Sequence, residues 1–390
     1  MSYLDKLLEG TEVEWKTLGE AAKIQRGKRL VKSELEESGQ YAVFQNSMTP
    51  LGYYDESNVK ANTTFIISAG SAGEIGYSSV DFWAADDVYY FVTPKSLNNK
   101  FLYYFLLTQQ TKITGQVRRA SVPRLSKTAF EKLQIPIPPL EIQQKIVGIL
   151  DTFSELTAEL TAELTAELTA RKKQYNYYRE QLLSFEESEV EWKTLGDLFE
   201  FKNGINKEKE FFGTGDKIIN YTDVFKNKKL FENSIDGKVV TNKSDIDRFN
   251  CKKGDVFFTR TSETQNEIGY SSVLLSDIDI CVFSGFLIRA RPITNLLLPE
   301  YCAYCFSSNS MRKAIISSSN MTTRVTTTGT ALSKIKIPVP PIEEQTRIVS
   351  ILDQFDTLTS SISEGLPKEI ALRKQQYEYY RDLLLTFPKP

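Results

Sequence analysis

A chain of 390 residues, 41% hydrophobic and 25% charged, is long enough for two or three globular units and too ordinary in composition for a disordered or collagen-like protein. It contains no histidine, which removes the commonest general base, the usual metal ligand and every Ser-His or Cys-His nucleophile. Its net charge of −2 gives no overall basic signature, so a nucleic-acid surface must be local or shared with a partner.

In chain order, the first ten residues set Asp5, Lys6 and Glu9 among leucines, which leaves no apolar signal core. No stretch reaches membrane-spanning length, so a cytoplasmic protein without membrane contact is expected. Residues 12–20 read EVEWKTLGE and residues 189–197 read EVEWKTLGD, an offset of 177 that places Trp15 and Trp192 in register. EIGYSSV occurs at 74–80 and again at 267–273. KLQIPIPPLEIQQKIVGILDTF (132–153) matches KIKIPVPPIEEQTRIVSILDQF (334–355), and RKKQYNYYREQLLSF from Arg171 matches RKQQYEYYRDLLLTF from Arg373, both at an offset of 202. The chain is thus a tandem repeat whose globular parts vary in length and whose helical parts do not. Residues 3–8 also resemble the helix tail at 178–183, which predicts a closed, pseudo-twofold arrangement with the ends of the chain close together.

The segments are 1–19, a first globular unit 20–135, a helix 136–188, a second globular unit 189–336, and a final helix 337–390. The globular units read as mixed α/β (α+β). Strands are predicted at 63–68, 87–92, 255–259 and 280–288, and helices at 100–107 and 300–306. Cys251, Cys281, Cys302 and Cys305 all lie in the second half, so no disulfide framework spans the chain. The CxxC of Cys302 and Cys305 sits in Tyr-Cys-Ala-Tyr-Cys-Phe, the apolar face of a helix with buried thiols rather than a metal knuckle.

Neither unit shows a catalytic constellation. The sequence FFGTGD at 211–216 is followed by a strand pattern rather than a helix, unlike a cofactor-binding glycine loop. The Pro-Pro sites lack the preceding Asn or Asp that amino-methyltransferases use. What remains is loops rich in residues that read phosphates and base edges. In the first unit the candidates are Lys28, Arg29, Gln45, Asn46, Ser71, Arg118, Arg119 and Arg124. In the second they are Lys253, Arg260, Thr261, Ser262, Asn320, Thr323 and Arg324.

Each long helix starts after a Pro-Pro pair (Pro138-Pro139 and Pro340-Pro341), with Glu in the first turn. The first carries Leu156, Leu160, Leu164 and Leu168 within an apolar stripe, and the second carries Leu358, Ile362, Leu366 and Ile370. Two equal stripes predict an antiparallel coiled coil between the two helices. Roughly 44 residues at about 1.5 Å each make a rod of about 66 Å, or roughly 19 base pairs. Residues 157–168 are three copies of TAEL, and a change of copy number would alter the rod by about 6 Å and turn it by about 40°. Gly365-Leu366-Pro367 predicts a kink in the second rod.

The two IPxPP-x-E-x-Q-xx-IV-xx-LD runs, the TAEL tract, the RK-x-QY-x-YYR tails and the KKGDVFFTRTS to EIGYSSV stretch together resemble the specificity subunit of type I restriction–modification systems, in the TAEL-repeat (type IC-like) subgroup. The resemblance covers essentially the whole chain. It implies two tandem target-recognition domains separated by the helices, each reading half of a split, asymmetric site in double-stranded DNA, with no catalysis in this chain. It also implies two modification subunits that use S-adenosylmethionine, docked at the near-identical segments around Trp15 and Trp192. ATP-driven restriction subunits would join them, with ATP and Mg bound in the partners and no cofactor here. Two rivals stand beside it: a coiled-coil adaptor that does not bind DNA, and a stand-alone methyltransferase, which the missing motifs disfavour.

Overall fold

The computed structural model describes residues 3–119, 121–321, 323–360 and 365–388. Two compact units are present: Met1–Thr165 with Glu369–Pro390, and Ala166–Lys368.

The globular part of the first unit is built on a four-stranded antiparallel sheet. Its order is Lys23–Arg26, Val88–Val92, Thr63–Ile67, Ile75–Ser78. The second unit repeats it as Phe199–Asn203, Leu287–Pro292, Val256–Thr259, Ser271–Leu274, with a fifth strand, Lys229–Leu230, added in parallel at the edge. The apolar run at 280–288 is not one strand. It divides into Cys281–Phe283 and Leu287–Pro292, which belong to different sheets. At the break the chain is drawn to the 205–206 segment: the Gly285 amide bonds the Ile205 carbonyl at 2.8 Å, and a Cβ on Gly285 would meet the Asn206 side chain.

The repeated EWKT segments form strands Glu14–Thr17 and Glu191–Thr194, each paired antiparallel with the strand before a Pro-Pro pair, Gln134–Ile137 or Lys336–Val339. Trp15 faces Pro136 and Trp192 faces Pro338 in the same register. The Thr-Leu-Gly that follows starts a short helix whose N-terminal Thr is closed by the acid three residues on, Glu20 or Asp197.

Helices follow both Pro-Pro pairs as expected: Leu140–Leu182, and Ile342–Ser360 with Leu366–Leu384. Their starts are locked by a device that occurs twice. Gln143, wholly buried, accepts from the Asn98 amide (2.8 Å) and donates to the Ser96 and Pro138 carbonyls (2.9 and 2.7 Å). Gln345, 202 positions on, accepts from the Leu298 amide and donates to the Leu296 and Pro340 carbonyls, each at 2.8 Å. About two turns further along, Asp151 holds Lys100 and Tyr104, and Asp353 holds Lys229 and Tyr304.

The second rod is described as two helices, and the chain bends at Gly365, where the sequence predicted a kink. A Cβ on Gly365 would stand 2.4 Å from the Thr357 carbonyl, so the chain passes its own preceding turn too closely for a side chain. Ile362 lies outside the described residues. Along the apolar stripes burial is uneven: Leu156 is 57% exposed, Leu358 is exposed, Leu160, Leu168 and Ile370 are half-buried, and Leu164 (8%) and Leu366 (7%) are buried. Four-residue TAEL steps turn about 400°, so successive leucines move around the helix by about 40° instead of staying on one seam. Within the first unit, the early part of Leu140–Leu182 runs antiparallel to Leu366–Leu384: Phe153 meets Tyr380, Ser154 bonds Tyr377, and Leu160 shares a cavity of about 240 Å³ with Arg373. In the second unit, Tyr175 and Tyr178 pack on Phe355.

The first unit is closed by both ends of the described chain. Leu4 and Leu8 share a core with Leu384, Leu385 and Phe387, and the Trp15 indole donates to the Pro388 carbonyl at 3.2 Å. Among the described residues no helix is long and apolar enough to cross a membrane.

Candidate nucleic-acid interface

In the first unit, four loops remote in sequence are drawn to one end of the sheet by backbone hydrogen bonds. The amides of Gly27 and Lys28 bond the Val88 and Ala84 carbonyls at 2.9 Å, and Ala85 bonds the Phe44 carbonyl. Ser71 bonds the Asn46 carbonyl at 2.9 Å, Gly70 bonds Pro123, and Leu125 bonds Ser68. Arg118 and Arg124 close a hairpin through reciprocal bonds of 2.9 and 3.1 Å, leaving Arg119 at its exposed tip. This convergence needs two glycines. A Cβ on Gly27 would sit 2.2 Å from the Ala85 carbonyl, and Gly70 has φ +77° with its Cβ position 2.6 Å from the Asn46 carbonyl. The result is a rim carrying exposed Lys28, Arg29, Asn46, Arg118, Arg119 and Arg124, with Gln45 and Ser71 half-buried behind them.

The second unit builds its rim differently. Gly204 repeats the Gly27 approach, its Cβ position 2.2 Å from the Ser284 carbonyl. A three-stranded ribbon, Thr261–Ser262, Val325–Thr326 and Asn320–Met321, then brings Arg260, Thr261, Asn320, Thr323 and Arg324 together. Arg260 is fixed by its backbone, through the Phe286 carbonyl (2.9 Å) and the Thr327 amide (3.0 Å). Arg324 lies 3.6 Å from Glu263, both well exposed, a pairing that water and salt screen strongly.

Two candidates do not join this rim as expected. Ser262 is buried (6%), and its hydroxyl accepts from the Thr264 amide, so it shapes the turn rather than facing solvent. Lys253 precedes Val256–Thr259, whereas Arg260 follows it, which puts the two at opposite ends of a central strand. Its turn is scaffold: Asp255, 1% exposed, accepts from the Lys252 amide and takes two bonds from Arg291 at 2.8 and 2.7 Å. That carboxylate holds the Arg291 guanidinium above its usual pKa.

Sequence reading missed a polar cavity of about 390 Å³ beside Arg260, lined also by Phe201, Asn203, Thr328, Gly329, Thr330 and Ser333. Its walls come from segments more than a hundred residues apart, so no local motif announces it. The Trp pair is asymmetric as well. Trp15 has its carbonyl acceptor, while the buried Trp192 Nε1 has no hydrogen-bond partner among the described residues. All four cysteines are buried free thiols, and burial pushes Cys305 up to about 12. Among the described residues no group of three or more His, Cys, Asp or Glu side chains could hold a metal ion.

The family model for the type I restriction modification DNA specificity domain matches residues 11–170 and 187–372. The chain is 36% identical to the type I restriction enzyme EcoR124I/EcoR124II specificity subunit of Escherichia coli, covering 100% of this chain and 98% of that one. It is 34% identical to a putative type I restriction enzyme specificity subunit of Haemophilus influenzae over 99% and 98%. In fold it is similar to a chain solved in work on complex assembly and conformational transition of the type I R-M system, with TM-score 0.69 and 16% identity over 96% and 97% of the two chains. It is also similar to the HsdS subunit of Thermoanaerobacter tengcongensis, with TM-score 0.55 and 15% identity over 96% of each. Matched along nearly its whole length in sequence and built as two units of one topology, the chain belongs to the specificity subunits of type I restriction–modification systems, a family without catalysis of its own.

Proposed function

We propose that each unit reads one half of a split, asymmetric site in double-stranded DNA and that the long helices set the number of unread bases between the halves. The observation that carries this reading is the recurrence of a cationic and amide-rich rim at the same end of two sheets that share a four-strand order. In one unit it is assembled by hydrogen-bonded loops and in the other by a ribbon. Such residues position on phosphates and discriminate base edges. Different rims on one scaffold suit two different half-sites.

Two modification subunits would dock at the repeated segments around Trp15 and Trp192, bringing S-adenosylmethionine, while restriction subunits would bring ATP and Mg. This chain would need no cofactor itself. The tract at 157–168 supports assignment to the TAEL-repeat subgroup.

The test is to express the chain with its modification subunit in a methylation-free host and map modified adenines, alongside a variant lacking one TAEL copy. Removing four residues shortens the helix by about 6 Å, close to two base-pair steps of about 3.4 Å. A split motif whose gap shrinks by one or two base pairs, with both half-sites unchanged, is the expected result. A stable complex without methylation would favour the adaptor reading instead.

A further inference from the structure

We propose that the cavity beside Arg260 is a seat for one backbone phosphate of the DNA, which anchors the second unit without reading sequence. This rests on the DNA-reading assignment above and goes beyond it by separating an anchoring group from the base-reading ones.

The cavity is lined by one half-buried guanidinium (Arg260), the Asn203 amide and the Thr328 and Thr330 hydroxyls, with no carboxylate among its lining residues; the Thr328 oxygen accepts from the Ala331 amide, which leaves its proton free, whereas the Ser333 hydroxyl, also in the wall, donates to the Thr330 carbonyl at 3.0 Å. Lys202 also borders it and adds a second cation, its ammonium 5.9 Å from the Phe249 ring centroid. Among the described residues the Arg260 side chain makes no hydrogen bond or ion pair, in contrast to Arg291 and Arg312, which are fully engaged by protein oxygens. A guanidinium held at a fixed place by its backbone, facing hydroxyls and an amide, is organised for an oxyanion.

Gly329 forms part of the cavity wall and lies tight against Phe201. A Cβ there would meet Phe201 Cβ at 2.8 Å. The first unit has Lys127 at the matching position, 202 residues earlier, so the seat is a property of the second unit's sequence. The rim ribbon begins at the next residue, Thr261, so a phosphate held at Arg260 would lie beside the groups proposed to reach base edges.

The experiment measures binding of target and unrelated duplexes by the complete complex with its modification subunits, from about 50 to 200 mM salt, for wild type, Asn203→Asp and Lys253→Gln. Asn203 is exposed, so the aspartate places a carboxylate at the cavity without disturbing the core, and Lys253→Gln makes the same change of net charge at the far end of the sheet. One lost phosphate contact lowers the slope of log K against log salt by about 0.9, so the wild-type advantage over Asn203→Asp should shrink about 3.5-fold across that salt range. Both duplexes should weaken by the same factor, with the methylated motif unchanged and Lys253→Gln close to wild type. If Asn203→Asp behaves like Lys253→Gln, or alters the preferred bases, the phosphate seat is overturned while the DNA-reading assignment stands. A wild-type complex with no affinity for duplex DNA overturns both.

Discussion

Replacing Gln143 with alanine tests whether the start of the central helix is held by one buried amide. The side chain is 0% exposed and satisfies three backbone groups: the Asn98 amide and the Ser96 and Pro138 carbonyls. An orphaned buried group costs about 1–3 kcal/mol. With the amide near the upper part of that range, and two carbonyls that keep a second lone pair near the bottom, the loss is about 4–5 kcal/mol. Against a total stability of roughly 5–15 kcal/mol this is severe. Urea denaturation of the full chain reports the loss, and hydrogen exchange at the Asn98 amide locates it. Gln345→Ala should cost the second unit the same amount and expose the Leu298 amide, because its three bonds are the same. A loss under about 1 kcal/mol in Gln143→Ala with Asn98 still protected would refute the reasoning.

Arg119→Ala and Arg324→Ala remove exposed side chains at the tips of the two rims, so target affinity should fall while assembly with the modification subunit stays intact. Unchanged affinity in both, measured by anisotropy titration, would take those loops out of the interface. A pH prediction follows from the thiols of the second unit. Burial raises Cys251, Cys302 and Cys305 above their ordinary values, the last to about 12, so between pH 9 and 10 the unfolded chain gives up protons that the native chain keeps. The unfolded state then binds fewer protons, and stability falls as pH rises. The second unit should therefore lose urea resistance from about pH 9, while the first, which has no cysteine, holds until its tyrosines begin to ionise near pH 10. In the same way, a thiol reagent at pH 8 should modify none of the four cysteines in the native chain and all four in urea.

Repeats and helix signals were legible from the residues because they are local. Pro-Pro followed by Glu specifies where a helix begins, a four-residue leucine step specifies its period, and Gly365 before Leu366-Pro367 marks the bend from which the last helix starts. Self-similarity at offsets of 177 and 202 revealed two copies of one architecture without any knowledge of its sheet. The polar character of both rims was also readable, since Arg, Asn and Thr in glycine-bounded loops cannot be core.

Tertiary structure decided which of those groups act together. Lys253 and Arg260 are seven positions apart and look like one cluster, yet the strand Val256–Thr259 between them carries them to opposite ends of a sheet. Ser262 reads as a surface hydroxyl until the turn folds it inward. The cavity at Arg260 joins residues 201–203 to 328–333, and the Gln143 lock joins a helix start to a loop 45 positions earlier. Hydropathy and turn chemistry act over a few residues, so they determine elements. Sites are made by backbone hydrogen bonds and close glycine approaches between distant segments, and those are settled only when the sheet assembles.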